Sequence, residues 1–353
     1  MSNSASNTIN KTVTGLVKNL STRNKDIVSR RFGLKTGRKE TLESIGKSYG
    51  ITRERVRQIE EFSLGQLAKF VGDNQEVAGY VSTAENILKD NGGVMKEREL
   101  FKVFSGNDKD SVANASLAFL LTLNKEPVRF HENDTFHSFW ALNTKFVNYL
   151  NDASISLVSS MKKSKKIVPA DQLKDFTKAN HVSGPDGGDI SDKHIQMFLA
   201  VSKELGKNIF NEIGLSEWPE IRPKGVKDKA YLVLKKERSP KHFTEIAKLI
   251  NSATFSDKKA NIQTVHNELI KDSRFVLVGR GMYGLSEWGY QPGTVKDVLV
   301  HVLKNSAKAV PKAELVAKVM NSRMVKENTI LLNLQDSKTF LKKEDGTYTL
   351  RKA

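Results

Sequence analysis

Thr41-Leu-Glu-Ser-Ile-Gly-Lys-Ser-Tyr-Gly-Ile-Thr-Arg-Glu-Arg-Val-Arg-Gln-Ile-Glu-Glu61 predicts a helix, a tight turn and a second helix. Thr41 suits an N-cap, and Glu43 falls in the first turn, where a carboxylate complements the helix dipole. Leu42, Ile45 and Tyr49 recur at helical spacing and make one apolar stripe. Gly50 supplies the residue that tolerates positive φ after a helix end, and Thr52 can cap the second helix with Glu54 in its first turn. At about 100° per residue, Arg53, Glu54, Arg57 and Gln58 share one arc of that helix, and Val56 and Ile59 share the other. The apolar arc is wide enough to dock on the first helix. The polar arc carries groups that read base edges in a major groove: arginine to guanine, glutamate to cytosine N4, glutamine to adenine. Two helices joined by a short Gly-containing turn, the second with such a face, form a helix-turn-helix. The competing reading is an Arg-rich solvated helix in an ordinary bundle.

The residues themselves add to the spacing. Thr41–Glu61 resembles region 4.2 of the bacterial sigma-70 family, with its Thr-Leu-x-x-Ile-Gly run followed by Thr-Arg-Glu-Arg-(Val/Ile)-Arg-Gln-Ile-Glu. Upstream, Leu20-Ser-Thr-Arg-Asn-Lys-Asp-Ile-Val-Ser-Arg-Arg-Phe-Gly-Leu34 resembles region 4.1 of the same family. The resemblance spans residues 15 to 70 and implies that Arg53, Glu54 and Gln58 read a −35 promoter element. It also implies that Arg55, Arg57 and the Thr41 end of the first helix lie at phosphates; Thr52 and Lys39 are assigned to the same positioning set. No stretch resembles sigma region 2, whose aromatic helices hold the −10 element, so a complete sigma factor is not expected.

Composition points the same way. The 353 residues carry 57 Lys+Arg against 40 Asp+Glu, a net charge of +17, with a pI of about 9.7. This suits a polyanionic partner, nucleic acid before membrane. From Arg23 to Arg57 eleven basic residues face four acidic ones, a local net of +7. The absence of cysteine excludes disulfides, thiolate zinc sites and thiol catalysis. The Ser/Asn/Thr-rich start is unlike a signal peptide and no apolar run is long enough for a membrane span, so a cytosolic location is expected.

Residues 1–14 are expected to be a disordered tail, followed by the sigma-like unit at 15–72 and a boundary at Asp73-Asn-Gln-Glu76. From Val77, helices at Val81–Leu88, Met95–Phe104 and Val112–Leu123 lead to a hairpin of Val128–His131 and Phe136–Leu142, which is the winged-helix order. That order repeats: Gly214-Leu-Ser-Glu-Trp218 returns as Gly284-Leu-Ser-Glu-Trp288. Behind each come a Val-Lys-Asp helix and a Pro-initiated helix, at Pro240–Asn251 and Pro311–Asn321. Four modules result, at 77–143, 144–219, 224–290 and 294–353, the second assigned by its shared ending alone. In the third, Ser239–Asn251, Thr264–Ile270, Arg274-Phe275 and Gly279–Trp288 resemble a HARE-type helix-turn-helix, a family that includes the N-terminal domain of the RNA polymerase delta subunit. The resemblance implies a winged helix in transcription or DNA-directed work, through DNA or protein contacts.

Other motifs are decoys. Gly279-Arg-Gly-Met-Tyr-Gly284 matches G-x-G-x-x-G, but a strand follows it and it reads as a wing turn. Gly33–Lys39 lacks the G-K-[ST] of a P-loop. His131 and His137 have no companion ligands at useful spacing, and His242 reads as structural. Trp140, Trp218 and Trp288 read as core anchors at hairpin ends, and Lys162–Lys166 is either a phosphate strip or a solvated face. No nucleophile, base and orienting group fall together, and nothing requires a metal, a cofactor or a small-molecule substrate.

The expected architecture is mainly α with small β-wings: one sigma region 4-like helix-turn-helix, then tandem winged-helix modules. The expected function is sequence-specific binding of double-stranded DNA in transcription, with RNA polymerase core as a further partner. A polymerase- or nucleoid-associated scaffold that binds DNA non-specifically, and the DNA-specificity component of a restriction or modification system, are the alternatives.

Overall fold

The computed structural model describes residues 3–351 except 73, 256, 257, 291 and 307, with side chains from residue 8 onward. The chain forms two compact units, Met1–Glu217 and Trp218–Ala353. It is mainly helical, with small three-stranded antiparallel sheets.

The first unit begins with α1 (Asn3–Val17), α2 (Thr22–Phe32), α3 (Leu42–Tyr49) and α4 (Arg53–Val71). There follow α5 (Gln75–Asp90), β1 (Val94–Lys96), α6 (Glu97–Ser105), α7 (Val112–Leu123), β2 (Val128–Phe130) and β3 (Phe139–Ala141). Then come α8 (Thr144–Ser164), β4 (Val168–Pro169), α9 (Leu173–Ala179), α10 (Asp192–Val201), β5 (Leu205–Lys207) and β6 (Glu212–Leu215). The second unit holds α11 (Val226–Glu237), β7 (Lys241–His242), α12 (Phe243–Ser252), α13 (Ile262–Lys271), β8 (Phe275–Gly279) and β9 (Met282–Leu285). It ends with α14 (Val295–Lys304), β10 (Val310–Pro311), α15 (Lys312–Ser322), α16 (Glu327–Leu334), β11 (Phe340–Lys342) and β12 (Thr347–Leu350).

From α5 onward the chain four times runs helix, short strand, helix, helix, two strands. In each sheet the last strand lies in the middle: β1-β3-β2, β4-β6-β5, β7-β9-β8 and β10-β12-β11. The first strand of each sheet is absent from the sequence expectation. It is two or three residues long, too short to show an alternation. In three of the four sheets it occupies positions expected to open a helix: Met95 pairs with Trp140, His242 with Met282 and Pro311 with Thr347. The second helices therefore start later than expected, at Glu97, Phe243 and Lys312.

The N-terminal expectation is corrected. Residues 1–2 lie outside the described residues, but residues 3–17 form a helix, not a disordered tail. Ile9, Val13, Leu16 and Val17 are all buried. Their i, i+4, i+7 spacing makes an apolar stripe that the surrounding Ser, Asn and Thr conceal in the composition. Two polar contacts hold α1 in place: Ser116 Oγ donates to Asn10 Oδ1 at 3.1 Å, and Thr12 Oγ1 donates to Glu76 Oε2 at 2.7 Å.

The core that α1 joins also takes in Val28 of α2, Leu67 and Val71 of α4, and the inner faces of α5, α6 and α7. Packing thus continues across Asn74–Glu76, where a boundary was expected. The reason is α7: Val-Ala-Asn-Ala-Ser-Leu-Ala-Phe-Leu-Leu-Thr-Leu is apolar on every side, and all its residues from Ala113 to Leu121 are buried. Such a helix needs cover all round. Phe119 meets Phe32 of α2 edge-on, with ring centroids 5.1 Å apart.

Candidate DNA-binding helix-turn-helix

The helix-turn-helix α3–α4 forms for local reasons. Thr41 Oγ1 accepts from Ser44 N at 3.1 Å, and Thr52 Oγ1 accepts from Arg55 N at 3.1 Å, so both helices carry the expected side-chain caps. Gly50 ends α3 at φ 65°, and its N–H reaches the Gly46 and Lys47 carbonyls. Gly46 is needed for a different reason: a Cβ there would lie 2.7 Å from the Ile51 carbonyl oxygen, where the turn folds back on the helix. Ile27, Ile45 and Val56 fill the small core between α2, α3 and α4, each fully buried, with Leu42, Tyr49, Ile51 and Ile59 around them.

Polar contacts from α2 set the angle of this pair. Arg30 grips Glu40 through two bonds of 3.0 and 2.8 Å and donates to Ser48 Oγ at 2.7 Å. Tyr49 donates to Asp26 at 2.9 Å, and Arg31 Nε donates to Glu60 at 3.1 Å. The Arg30 guanidinium holds the Glu40 carboxyl below its ordinary range. In the sequence Arg30, Arg31 and Asp26 carry charge and belong to the stretch resembling region 4.1, without any sign of their partners. The partners Glu40, Ser48, Tyr49 and Glu60 lie ten or more positions away, which spacing does not reveal.

Arg53, Glu54, Arg55, Arg57 and Gln58 are all exposed on the first two turns of α4. Two of the three base-reading candidates already have partners within the helix. Arg57 donates to both oxygens of Glu54, at 2.7 to 3.1 Å, and also bonds Glu61; Arg55 donates to Gln58 Oε1 at 3.1 Å. The hydrogen bond from Arg57 lowers the Glu54 pKa, and the Glu54 carboxylate in turn raises that of Arg57. These are exposed pairs at helical spacing, weak enough for a nucleic acid to exchange.

Lys39 is placed elsewhere. Its ammonium lies 3.7 Å from Glu97 Oε1, beside the hairpin of the following module. There Glu97 accepts from Arg129 at 2.5 and 2.8 Å and from the indole Nε1 of the buried Trp140 at 3.1 Å. Thr41 and Thr52 use their hydroxyls as caps.

In a winged helix, the third helix is the one that would enter a groove. In the first unit α7 is enclosed and α10 packs on β1. In the second, α13 exposes Gln263, Thr264 and Asn267 but also Ile262 and Ile270, while α16 carries no lysine or arginine. Gly279–Gly284 spans the end of β8, the wing turn at Arg280-Gly281 and the start of β9, and His242 caps α12 by accepting from Thr244 N. Lys162 to Lys166 lie exposed at the C-terminal end of α8, where cations suit the helix dipole. His131 lines a cleft described below, and His137 Nδ1 lies 3.8 Å from Glu132. Among the described residues no three His, Asp or Glu side chains gather as a metal site, and no helix is long and apolar enough to cross a membrane.

Comparison with known proteins agrees with the two resemblances. The RNA polymerase sigma factor SigA1 of Synechococcus elongatus is 43% identical over 63 residues, 18% of this chain and 16% of that protein. The RNA polymerase principal sigma factor HrdD of Streptomyces coelicolor is 43% identical over 58 residues, and that of Streptomyces griseus 41% over 58, in both cases 16% of this chain and 18% of the relative. The chain thus spans less than a fifth of the length of these curated relatives. No solved structure matches significantly. Residues 225–288 match the HARE-HTH family, a helix-turn-helix domain named in part for its occurrence in restriction endonucleases. Residues 16–69 match the family of sigma-70 region 4, and this segment is a DNA-binding helix-turn-helix domain related to sigma factors.

Proposed function

We propose that the chain is a bacterial, cytoplasmic transcription factor that reads a −35-like promoter element in duplex DNA with α4, without being a complete sigma factor. The observation that carries this is the free N-terminal face of α4. Arg53, Glu54 and Gln58 project together from a helix capped by Thr52 and braced by α2, in a segment related to sigma region 4. On a cognate site Glu54 exchanges Arg57 for a cytosine amino group, and the freed guanidinium moves to a phosphate with Arg55. Non-specific affinity comes from the +17 charge. The segments 15–72, 77–143, 144–219, 224–290 and 294–353 act as successive modules. Those after residue 72 contact protein rather than bases, RNA polymerase core being the partner that both related families suggest. The low basic content of α13 and α16 supports that division.

The deciding experiment is selection from a randomised duplex library at near-physiological salt, with wild type beside Arg53→Ala/Glu54→Ala. Enrichment of one short motif, lost in the variant, is the expected result. Tight binding without a motif, unaltered by the substitutions, would replace this reading with a sequence-blind scaffold.

A further inference from the structure

A second site lies in the first unit, away from the outward face of α4. Between α2, α4, the end of α7 and the β2–β3 hairpin is a cleft of about 460 Å³, within the ordinary range of about 300–1,000 Å³ for small-molecule pockets. Its lining is partly apolar, with Phe32, Leu64 and Val128, and partly basic, with Arg31, Lys39, Lys125 and Arg129. Glu60 pairs with Arg31, Glu97 is shared by Arg129 and Lys39, and Asp110 adds a weaker attraction at Lys39, which leaves the lining net positive. The remaining positive charge suits the phosphate group of a nucleotide. The apolar part of the lining suits a flat ring. Lys39 feels the excess directly. Burial lowers its pKa first, Glu97 and more weakly Asp110 only partly offset this, and Arg129 and Arg31 add repulsion. An anion would relieve it.

We propose that this cleft binds a nucleotide-class ligand, its phosphate at Lys39, Lys125 and Arg129 and its base against Phe32 and Leu64. The cleft is built jointly by the sigma-like segment (Arg31 of α2, Lys39 ahead of α3, Glu60 of α4) and the next module (Lys125 ahead of β2, Arg129 in β2), so an occupant bridges the two. This site stands independently of base reading by α4.

Isothermal titration of the full chain with ADP, adenosine and inorganic pyrophosphate tests it. Saturable binding of ADP, weaker for adenosine and pyrophosphate alone, is expected, with about a tenfold loss in Lys125→Gln and again in Lys39→Gln. Lys125 is exposed and has no place in the core, so its variant keeps the wild-type melting temperature. No saturable heat with any of the three probes at millimolar concentration would overturn the proposal, as would ADP affinity unchanged in the double variant. The same phosphate chemistry could come from a DNA backbone. If ADP is silent while Lys125→Gln lowers the salt slope of non-cognate duplex binding by about one, the small-ligand assignment falls.

Discussion

Two helices of the first unit occupy the same place in their motifs and meet opposite fates. Helix α4 is the last helix of a helix-turn-helix and leaves one face in solvent; α7 is the third helix of a winged-helix order and is buried at every position from Ala113 to Leu121. Topology alone would make either a groove reader. What separates them is side-chain character. Arg53, Glu54, Arg57 and Gln58 cannot be desolvated cheaply, whereas Leu117, Phe119, Leu120 and Leu121 cannot be left wet. Helix order therefore identifies a DNA-binding architecture, and only the composition around the helix says whether it is used as one.

The most severe way to break the comparison is Phe119→Ala. Removing a fully buried ring that also touches Phe32 should cost about 3–5 kcal/mol. Because α7 shares its core with α1, α2 and α4, thermal melting should lower one transition for the helix-turn-helix and the first winged module together. Two separate transitions, only one of them shifted, would show that the modules fold apart.

Next is Glu97→Gln, expected to cost about 3 kcal/mol at neutral pH by leaving Arg129 and Lys39 partly uncompensated. Burial pushes the Glu97 carboxyl up, but the Arg129 hydrogen bonds and charge, then Lys39 and Trp140, outweigh it and hold it below its ordinary 4.5. A carboxyl depressed in the folded state stabilises fully above its unfolded value. That contribution fades as pH falls through 4.5 toward the folded value. Stability measured from pH 7 down to 3 should therefore fall more steeply for wild type than for Glu97→Gln. Parallel curves would remove Glu97 from the acid response.

On the exposed helix the effects are smaller and selective. Arg53→Ala or Glu54→Ala should cost about 1–3 kcal/mol on the preferred site and relax preference at one base pair. Equal losses on every sequence would mean that α4 does not read bases. Thr52→Ala should cost about 1 kcal/mol of stability through the lost cap, visible in denaturant melts without any change in preferred motif. Lys39→Ala is expected to change DNA affinity least, by under about 1 kcal/mol and alike for all sequences, because Glu97 already engages its ammonium.

Sequence by itself was sufficient for α3 and α4: their caps at Thr41 and Thr52, the αL turn at Gly50, the inward Ile45 and Val56 and the outward arc from Arg53 to Gln58. Each depends on contacts within a turn or two, and local spacing encodes those. The repeated winged order was legible for a related reason, since similar residues recur in similar places. Only the tertiary structure decided that α1 is a packed helix, that α7 is sealed, that Lys39 turns to Glu97 and that each sheet gains a short first strand. These outcomes rest on partners far apart in the chain, as with Asn10 and Ser116, 106 positions apart. A short strand exists only through its pairing, and a charge takes its role from whichever neighbour folding brings to it.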